Sequence, residues 1–418
     1  MEKLKHEEIL LFLIQVSVLL ISARVLGEFF RKLKQPAVIG EILAGLIIGP
    51  SILGQFCPDV FHFLFYSQPK SFIAFDGLAR VGVIFLLFVA GLEVDLPMIW
   101  KQGKSSLFIS LSGVLFPFVL GFTSSWFFYD FVPDITSNSR FVFSLFFGVA
   151  LSISALPVIA KILLDLNLIR TKVGGLILAS AMVDDVLGWI MFSVILSLIG
   201  KGGETNFWFT IVSTIGFTVI LLSLGRIAIN RIIPLINKYF AWPGGIITFA
   251  IGSCFLGAVS TEYMGIHAIF GAFLMGICFG DSVHFNDKTR EIINHFITNI
   301  FAPLFFVSIG LKVNFIKNFD LETVAFVLVV SYIAKVFGVG IGAYSSGLSK
   351  SESLAIGFGM NARGAMEIIL GLLALEAGVI NEKMFVALVI MAIVTSITSG
   401  PLMKWALAWK GGGGGIKS

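Results

Sequence analysis

The sequence predicts an all-α polytopic membrane protein, and three features support this fold class. Of its 418 residues, 57% are hydrophobic and only 13% are charged, with a mean hydropathy of +0.97. The apolar residues form runs long enough to cross a bilayer, and the positive charges between the runs fall mostly on one side. A water-soluble domain of this size cannot bury so much apolar surface, whereas the hydrocarbon core of a bilayer accepts it. The composition therefore excludes a soluble protein, and a net charge of only +4 does not indicate a nucleic-acid partner.

About thirteen apolar segments of membrane-spanning length follow one another along the chain. An odd number of spans places the two chain ends on opposite sides of the membrane. The eighth and ninth segments are short and adjacent, so they can also be divided differently. The predicted segments are residues 9–29, 37–53, 72–90, 105–128, 141–163, 173–198, 208–229, 244–263, 266–280, 292–311, 323–344, 353–375 and 384–407.

The distribution of positive charge predicts how these segments are oriented. Of the 29 Lys and Arg residues, 17 fall on one side of the segments and 8 on the other. Because positively charged loops remain in the cytoplasm, the N-terminus is predicted outside and the C-terminus inside, in a cell inner membrane. No cleavable signal precedes the first apolar run, so the N-terminus is expected to belong to the mature protein. The glycine-rich end, residues 411–418, is expected to be a linker or an artificial tail.

Two adjacent carboxylates, Asp184 and Asp185, lie near the middle of the sixth segment. A charge at the bilayer centre costs about 2.5–3.5 kcal/mol on insertion scales and usually marks a functional path. Neighbouring side chains on a helix point about 100° apart, so the two aspartates cannot share one role. They also cannot both ionise cheaply in a medium of low dielectric constant.

Lys335, in the middle of the eleventh segment, is the lysine placed deeply enough to pair with one of the two aspartates. The other carboxylate would then bind either a proton or a small hard cation, which prefers oxygen ligands. Exclusive occupancy of one carboxylate by these two ions is the simplest chemistry for antiport. The alternative is that the charges are structural ion pairs that hold helices together.

The fifth and twelfth segments have the features of interrupted helices. Pro157 in the fifth segment lacks an N–H group and releases a carbonyl upstream of it. The twelfth segment contains a stretch rich in glycine and polar residues, 361–367. Paired breaks at matching positions in two halves indicate a transporter binding site. Segments five and twelve are seven apart, as expected if segments two to six recur inverted as nine to thirteen. The candidate site residues in these breaks are Ser152, Ser154, Pro157, Asn361, Arg363 and Glu367.

A simpler interpretation applies to Arg363 and Glu367. These residues are four apart, so on one helix face they would neutralise each other. The sequence leaves this structural interpretation and the functional one open.

Taken together, these runs resemble the monovalent cation/proton antiporter-2 family, which includes sodium/proton exchangers and Kef-type potassium/proton systems. The order and spacing of the matching stretches are more specific than any single stretch. The matches are residues 35–41, 49–54, 82–93, 184–185, 303–306, 335 and 361–364.

The resemblance implies an NhaA-like fold in a homodimer, with a core of six helices that moves against a dimerisation domain. The transporter domain would cover residues 1–410. Its dimerisation helices would lie roughly within 9–98 and 208–311, and its core helices roughly within 105–198 and 323–407. Two crossed broken helices would belong to the core.

The resemblance also implies roles for individual residues. Asp185 corresponds to the aspartate that binds the cation or the proton, and Asp184 to the aspartate paired with Lys335. In this family a double aspartate tends to accompany electrogenic exchange of more protons than cations, which favours Na⁺ (or Li⁺) as the cation. A K⁺/H⁺ antiporter of Kef type is the alternative. Kef-type members carry a cytoplasmic nucleotide-binding domain, and the sequence contains no G-x-G-x-x-G motif following a strand.

Two other classes of protein fit the sequence less well. An intramembrane aspartyl protease needs two aspartates that face each other from different helices, whereas Asp184 and Asp185 are adjacent. A gated channel uses rings of carbonyls or repeated filter sequences, and none is visible. The three cysteines show neither metal-binding nor redox spacing. The sequence therefore predicts an antiporter that is not an enzyme, needs no cofactor, and exchanges Na⁺ or K⁺ for H⁺ while surrounded by lipid.

Overall fold

The computed structural model describes residues 3–33, 35–128, 140–200 and 207–409. For residues 99–100, 196–200 and 207–211 it describes the backbone only. The predicted tail, 411–418, lies outside these residues. Within the described part of the chain the regular structure is entirely helical, as predicted. The helices divide between two compact units, residues 1–94 with 207–318 and residues 95–206 with 319–418. Whether these units serve as dimerisation and core domains stays a prediction.

The first unit contains eleven helices among the described residues. Its N-terminal helices are α1 (His6–Lys32), α2 (Ala37–Ile48), α3 (Leu53–Phe56), α4 (Pro58–Phe65) and α5 (Pro69–Leu92). Its later helices are α10 (Phe207–Ile220), α11 (Arg226–Tyr239), α12 (Gly244–Tyr263), α13 (Ala268–Gly280), α14 (Asp287–Phe296) and α15 (Ala302–Lys312). One π-helical turn joins α10 to α11 and another joins α14 to α15, so each pair continues as one span. The short helix α4 falls between two predicted segments and is not a span.

Close backbone contact holds α5 against α13 in this unit. A Cβ atom added to Gly91 would lie 2.1 Å from the carbonyl oxygen of Phe273, and one added to Gly276 would lie 2.1 Å from that of Phe88. Only glycine fits at both positions, and small residues are what allow membrane helices to approach this closely. Buried phenylalanines, among them Phe88 and Phe279, pack around the contact.

The second unit contains the helices that carry the candidate site. These are α6 (Leu96–Phe127), α7 (Arg140–Ser152), α8 (Leu156–Asp165), α9 (Lys172–Gly200), α16 (Leu321–Ser345), α17 (Lys350–Met360), α18 (Ala365–Glu376) and α19 (Glu382–Ala408). Helix α6 begins earlier than the predicted fourth segment, and it is kinked at Gly103, whose φ of +66° suits glycine.

Both predicted interruptions are present in the second unit. Residues 153–155 separate α7 from α8, and residues 361–364 separate α17 from α18, whose axes differ by 48°. Pro157 does not sit within a continuous helix. It occupies the first turn of α8, where the missing N–H group has no helical partner to lose, so the proline starts the second half-helix.

By length and composition, eleven helices among the described residues can cross a membrane, and twelve if α17 and α18 form one broken span. Helix α13 is apolar but has only 13 residues. Every predicted segment coincides with a helix or a helix pair, so the multi-pass architecture is confirmed. The count of thirteen spans and the inverted repeat stay predictions.

Candidate functional site

The two breaks touch each other in the second unit. The backbone N–H of Ala155 donates a hydrogen bond to the carbonyl of Ala362 at 2.9 Å. The hydroxyl of Ser154 lies 2.8 Å from the carbonyl oxygen of Met360. The first contact joins the two breaks and the second joins the first break to the end of α17, so backbone from both interrupted helices meets at one buried place. This is the arrangement in which broken membrane helices expose backbone groups that can bind ions.

Asp184 is fully buried beside this crossing and is bound by three side chains. Its Oδ2 atom lies 2.7 Å from Nζ of Lys335 and 3.2 Å from the hydroxyl of Ser154. Its Oδ1 atom accepts a hydrogen bond from Ser110 on α6 at 2.6 Å. The Lys335 and Asp184 side chains are both 0% exposed, so the pair is cut off from solvent. A buried ion pair is stable only when additional hydrogen bonds satisfy its remaining atoms.

Lys335 supplies such bonds on its own side of the pair. Its ammonium group donates to the carbonyl oxygen of Gly113 on α6 at 2.9 Å and to that of Ser152. With Asp184 as the third acceptor, all three ammonium hydrogens have partners. The lysine thus ties α16 to α6, to α9 and to the end of α7. The predicted pairing of Lys335 with an aspartate is present, and the partner is Asp184.

Asp185 is also buried, with 1% of its surface exposed, so its side chain does not face lipid. Lys335 interacts electrostatically with Asp185 as well as with Asp184. Both aspartates therefore act on Lys335, and Asp184 forms an ion pair with it at 2.7 Å. Adjacent side chains on a helix point about 100° apart, so the two carboxylates cannot both face Lys335 in the same way.

Arg363 fastens the second break to the first. Its guanidinium donates to the carbonyl oxygens of Ala150 and Leu151, both at 2.6 Å, at the end of α7. It also pairs with Glu367 at 2.9 Å. The simple interpretation of Arg363 and Glu367 as mutually neutralising is therefore only part of their role. The arginine also compensates the negative dipole at the C-terminal end of a half-helix.

The predicted site residues do not all contribute side chains to the crossing. Ser152 contributes its backbone carbonyl to Lys335, while its hydroxyl donates within α7 and toward α6. Pro157 is exposed on the first turn of α8. Asn361 is buried at the end of α17. Ser154, Arg363 and Glu367 contribute side chains directly.

The groups at this site that were not predicted from the sequence include the hydroxyl of Ser110, the carbonyl of Gly113 and the hydroxyl of Ser396, which contacts the carbonyl of Arg363. Serines within apolar segments were the only available signal for two of them. The chain has many such serines, and most donate to their own helix, so this signal does not distinguish them. A backbone carbonyl leaves no signal in the sequence.

Comparison with known proteins identifies the family. The model of the family described as "Sodium/hydrogen exchanger, transmembrane" matches residues 16–409. The chain is 34% identical over 408 residues to Cation/H(+) antiporter 17 of Arabidopsis thaliana, covering 94% of this chain but 48% of that protein. It is 32% identical over 398 residues to the Na(+)/H(+) antiporter NhaS4 of Synechocystis, covering 94% and 97% of the two chains. It is 28% identical to the Na(+)/H(+)-K(+) antiporter GerN of Bacillus cereus, covering 96% and 97%.

The chain thus spans about half the length of the plant relative and nearly all of the two bacterial ones. A solved structure of the sodium proton antiporter MjNhaP1 from Methanocaldococcus jannaschii shares the fold, with a TM-score of 0.70 at 19% identity over 96% of this chain and 98% of that one. The matched family model covers almost the whole described chain. This protein therefore belongs to the sodium/hydrogen exchanger family of membrane proteins.

Proposed function

We propose that this protein is a secondary active antiporter that exchanges Na⁺ or Li⁺ for H⁺, with the two ions competing for Asp185. The observation that carries the proposal is the burial of two adjacent aspartates beside Lys335, which forms its ion pair with Asp184. Asp184 is committed to Lys335 and to two serine hydroxyls, so its charge is balanced within the protein. Asp185 is the second buried carboxylate, and a buried carboxylate is stable only when a cation or a proton balances it.

This charge balance supports a simple exchange cycle. With H⁺ on Asp185, or with Na⁺ bound to its oxygens, the site has the same net charge, so both loaded forms tolerate burial. The empty ionised form does not, and it discourages return of an unloaded carrier. Antiport follows because one carboxylate cannot hold both ions at once, and each must leave before the other binds.

Electrogenic exchange needs a second proton for each cation. Lys335 is the group best placed to supply it. If an entering cation also takes Asp184 as a ligand, Lys335 loses its counter-ion in a buried place, where an isolated ammonium is costly. Release of its proton would then accompany binding of the cation. A Lys335→Gln variant that still transports is expected to move fewer protons per cation.

The remaining parts of the proposal come from charge distribution and family resemblance. The site unit, residues 95–206 with 319–418, would be the mobile core, and the other unit would provide the contacts of a homodimer. The N-terminus would lie outside and the C-terminus in the cytoplasm of a cell inner membrane. K⁺/H⁺ exchange of Kef type is the second candidate. It is supported by the relative GerN, whose name includes both Na⁺ and K⁺.

The test is exchange by the purified protein in liposomes that contain a pH-sensitive dye, after addition of NaCl, LiCl or KCl. Asp185→Asn is expected to abolish the dye response to every cation. Asp165→Asn is the matched control, because it makes the same chemical change at an exposed position of α8 and is expected to leave exchange intact. Normal exchange by Asp185→Asn would disprove the assignment, and a response to KCl alone would establish the second candidate.

A further inference from the structure

Asn361 is an unusual residue at the crossing. It is the first residue of the second break and is 1% exposed. Neither its Oδ1 nor its Nδ2 atom hydrogen-bonds to any residue that the structure describes. A side-chain amide can take part in four hydrogen bonds, and burying it without any is costly. An apolar residue of the same size would avoid this cost, so the amide at this position needs another explanation.

A second such group lies on α19, which packs against α17. The hydroxyl of Ser399 is buried and has no hydrogen-bond partner among the described residues. On the same helix, Thr395 donates to the carbonyl of Met391 and Thr398 to that of Val394, which is the usual arrangement. Ser399 departs from it.

Two contacts between α19 and residues 359–363 flank these two groups along the chain. The hydroxyl of Ser396 contacts the carbonyl of Arg363, and the sulfur of Met403 lies 3.2 Å from where a Cβ of Gly359 would stand. Ser399 lies between these contacts on α19, and Asn361 lies between them on the facing segment. Residues 396, 399 and 403 share one helix face and span about 10 Å. Asn361 and Ser399 therefore both lie, along the chain, within the stretch that these two contacts bound.

The two half-helix ends at the crossing differ in charge. The C-terminal end of α7 is neutralised by two cationic side chains, because Arg363 binds the carbonyls of Ala150 and Leu151 and Lys335 binds that of Ser152. The end of α17 and the break that follows it receive only neutral donors from the described residues. The carbonyl of Met360 faces the Ser154 hydroxyl, and that of Ala362 faces an N–H group. A helix C-terminus carries about half a negative charge, so of these two ends that of α17 keeps the greater attraction for an added cation.

From these observations we propose that Asn361 and Ser399, with carbonyl oxygens at the end of α17, form a second subsite for a partly hydrated monovalent cation. Amide, hydroxyl and carbonyl oxygens are the ligands that hard cations prefer. Such half-helix ends bind ions in transporters with broken helices. The inference rests on the proposed function and adds to it a cation-binding position whose ligands are all neutral.

The subsite lies close to the charged site. The hydroxyl of Ser154 is 2.8 Å from the carbonyl oxygen of Met360 and 3.2 Å from Oδ2 of Asp184. One side chain thus links the end of α17 to the aspartate pair. A cation can lose part of its hydration shell at this subsite before it reaches the carboxylates. Because the number and spacing of neutral oxygens select cations by size, this subsite contributes to the selectivity of transport among Li⁺, Na⁺ and K⁺.

Asn361→Leu and Ser399→Ala test the subsite, with Thr395→Val as the matched control on the same helix. Each variant is measured in liposomes for the KM of Na⁺, Li⁺ and K⁺. In detergent, its thermal midpoint is compared in choline chloride and in sodium chloride at one pH. Removing one side-chain ligand is expected to raise the KM for the preferred cation about tenfold, which corresponds to about 1.4 kcal/mol. The ratio of KM values among the cations is expected to change, and the stabilisation by sodium to decrease.

The Leu substitution also separates binding from folding. Because it removes an unpartnered buried amide, it is expected to raise the midpoint in choline chloride while weakening the response to sodium. Thr395→Val is expected to keep the wild-type KM. Asn361→Asp, which adds a charge of the right sign, is expected to lower the KM, and it decides the question if the Leu variant does not fold.

Two results would overturn the subsite. One is a wild-type KM and cation preference in both Asn361→Leu and Ser399→Ala. The other is an equal change of midpoint in choline and in sodium with an unchanged KM, which means that these side chains hold water only. Either result leaves the antiport function standing if the wild type exchanges cations. Failure of the wild type to exchange any cation would instead remove the function on which the subsite rests.

Discussion

Replacing Lys335 by methionine tests whether the buried ion pair organises the site. The substitution keeps the apolar stem and removes the ammonium group. It leaves the Asp184 carboxylate, which is 0% exposed, with only the hydroxyls of Ser110 and Ser154. Removing one partner of a buried pair usually costs about 3–5 kcal/mol, because the remaining charge is left uncompensated. Asp184→Leu is expected to cost a similar amount, because it leaves the ammonium group with two carbonyl oxygens only.

The double variant distinguishes a true pair from two independent contributions. Replacing both charges by apolar groups of similar volume is often neutral. Lys335→Met combined with Asp184→Leu is therefore expected to lose no more than about 2 kcal/mol, roughly one for the Ser110 hydroxyl that loses its acceptor and one for the carbonyls of Gly113 and Ser152 that lose their donor. The coupling between the two sites is then about 4 kcal/mol or more, well above the additivity expected of independent positions.

Equilibrium unfolding in mixed micelles, followed by tryptophan fluorescence, measures the free energy of unfolding of all four proteins. Arg31→Met is a suitable control, because Arg31 and its partner Glu28 are both more than 40% exposed at a separation of 3.5 Å. Exposed pairs contribute no more than about 1 kcal/mol. If the losses of the two single variants simply add in the double variant, the side chains do not stabilise each other, and the account of the site given above is wrong.

Two further predictions concern the first unit. Gly91→Ala is expected to lower the free energy of unfolding by about 1–3 kcal/mol or more, because its methyl group would meet the backbone of Phe273. A methyl group at Gly77 on the same helix would have no atom within 4 Å, so Gly77→Ala is expected to be neutral or stabilising. The thermal midpoints of the two variants check this, and equal effects would contradict the packing described for α5 and α13. Glu93 follows the last residue of α5, where burial raises its pKa to about 7 against the opposing charge of Arg290. Because the pKa of Glu93 in the folded protein lies above its ordinary value of 4.5, the free energy of unfolding is expected to decrease as the pH rises from about 4.5 to 7. Glu93→Gln is expected to flatten this part of the profile of stability against pH. An unchanged profile would show that Glu93 does not titrate in this range.

Much of the architecture followed from local features of the sequence. The length and hydropathy of each segment are properties of consecutive residues, and every predicted segment coincides with a helix or a helix pair. The cost of burying charge singled out Asp184, Asp185 and Lys335, because it depends only on residue type and depth in the membrane. Proline and glycine indicated the two breaks, because the backbone preferences of these residues do not depend on tertiary contacts.

Tertiary structure alone decided which groups meet. The cost of buried charge left open which aspartate pairs with Lys335; the family resemblance implied Asp184, and the packing of α16 against α9 is the physical reason for that pairing. The roles of Ser110, the carbonyl of Gly113 and the carbonyls at the end of α7 depend on helices far apart in the chain. A hydroxyl or a carbonyl has the same local sequence signal whether it faces its own helix or a neighbour's charge, so only packing distinguishes the two cases. The same holds for Asn361 and Ser399, because only the packed structure shows that neither side chain has a hydrogen-bond partner among the residues it describes.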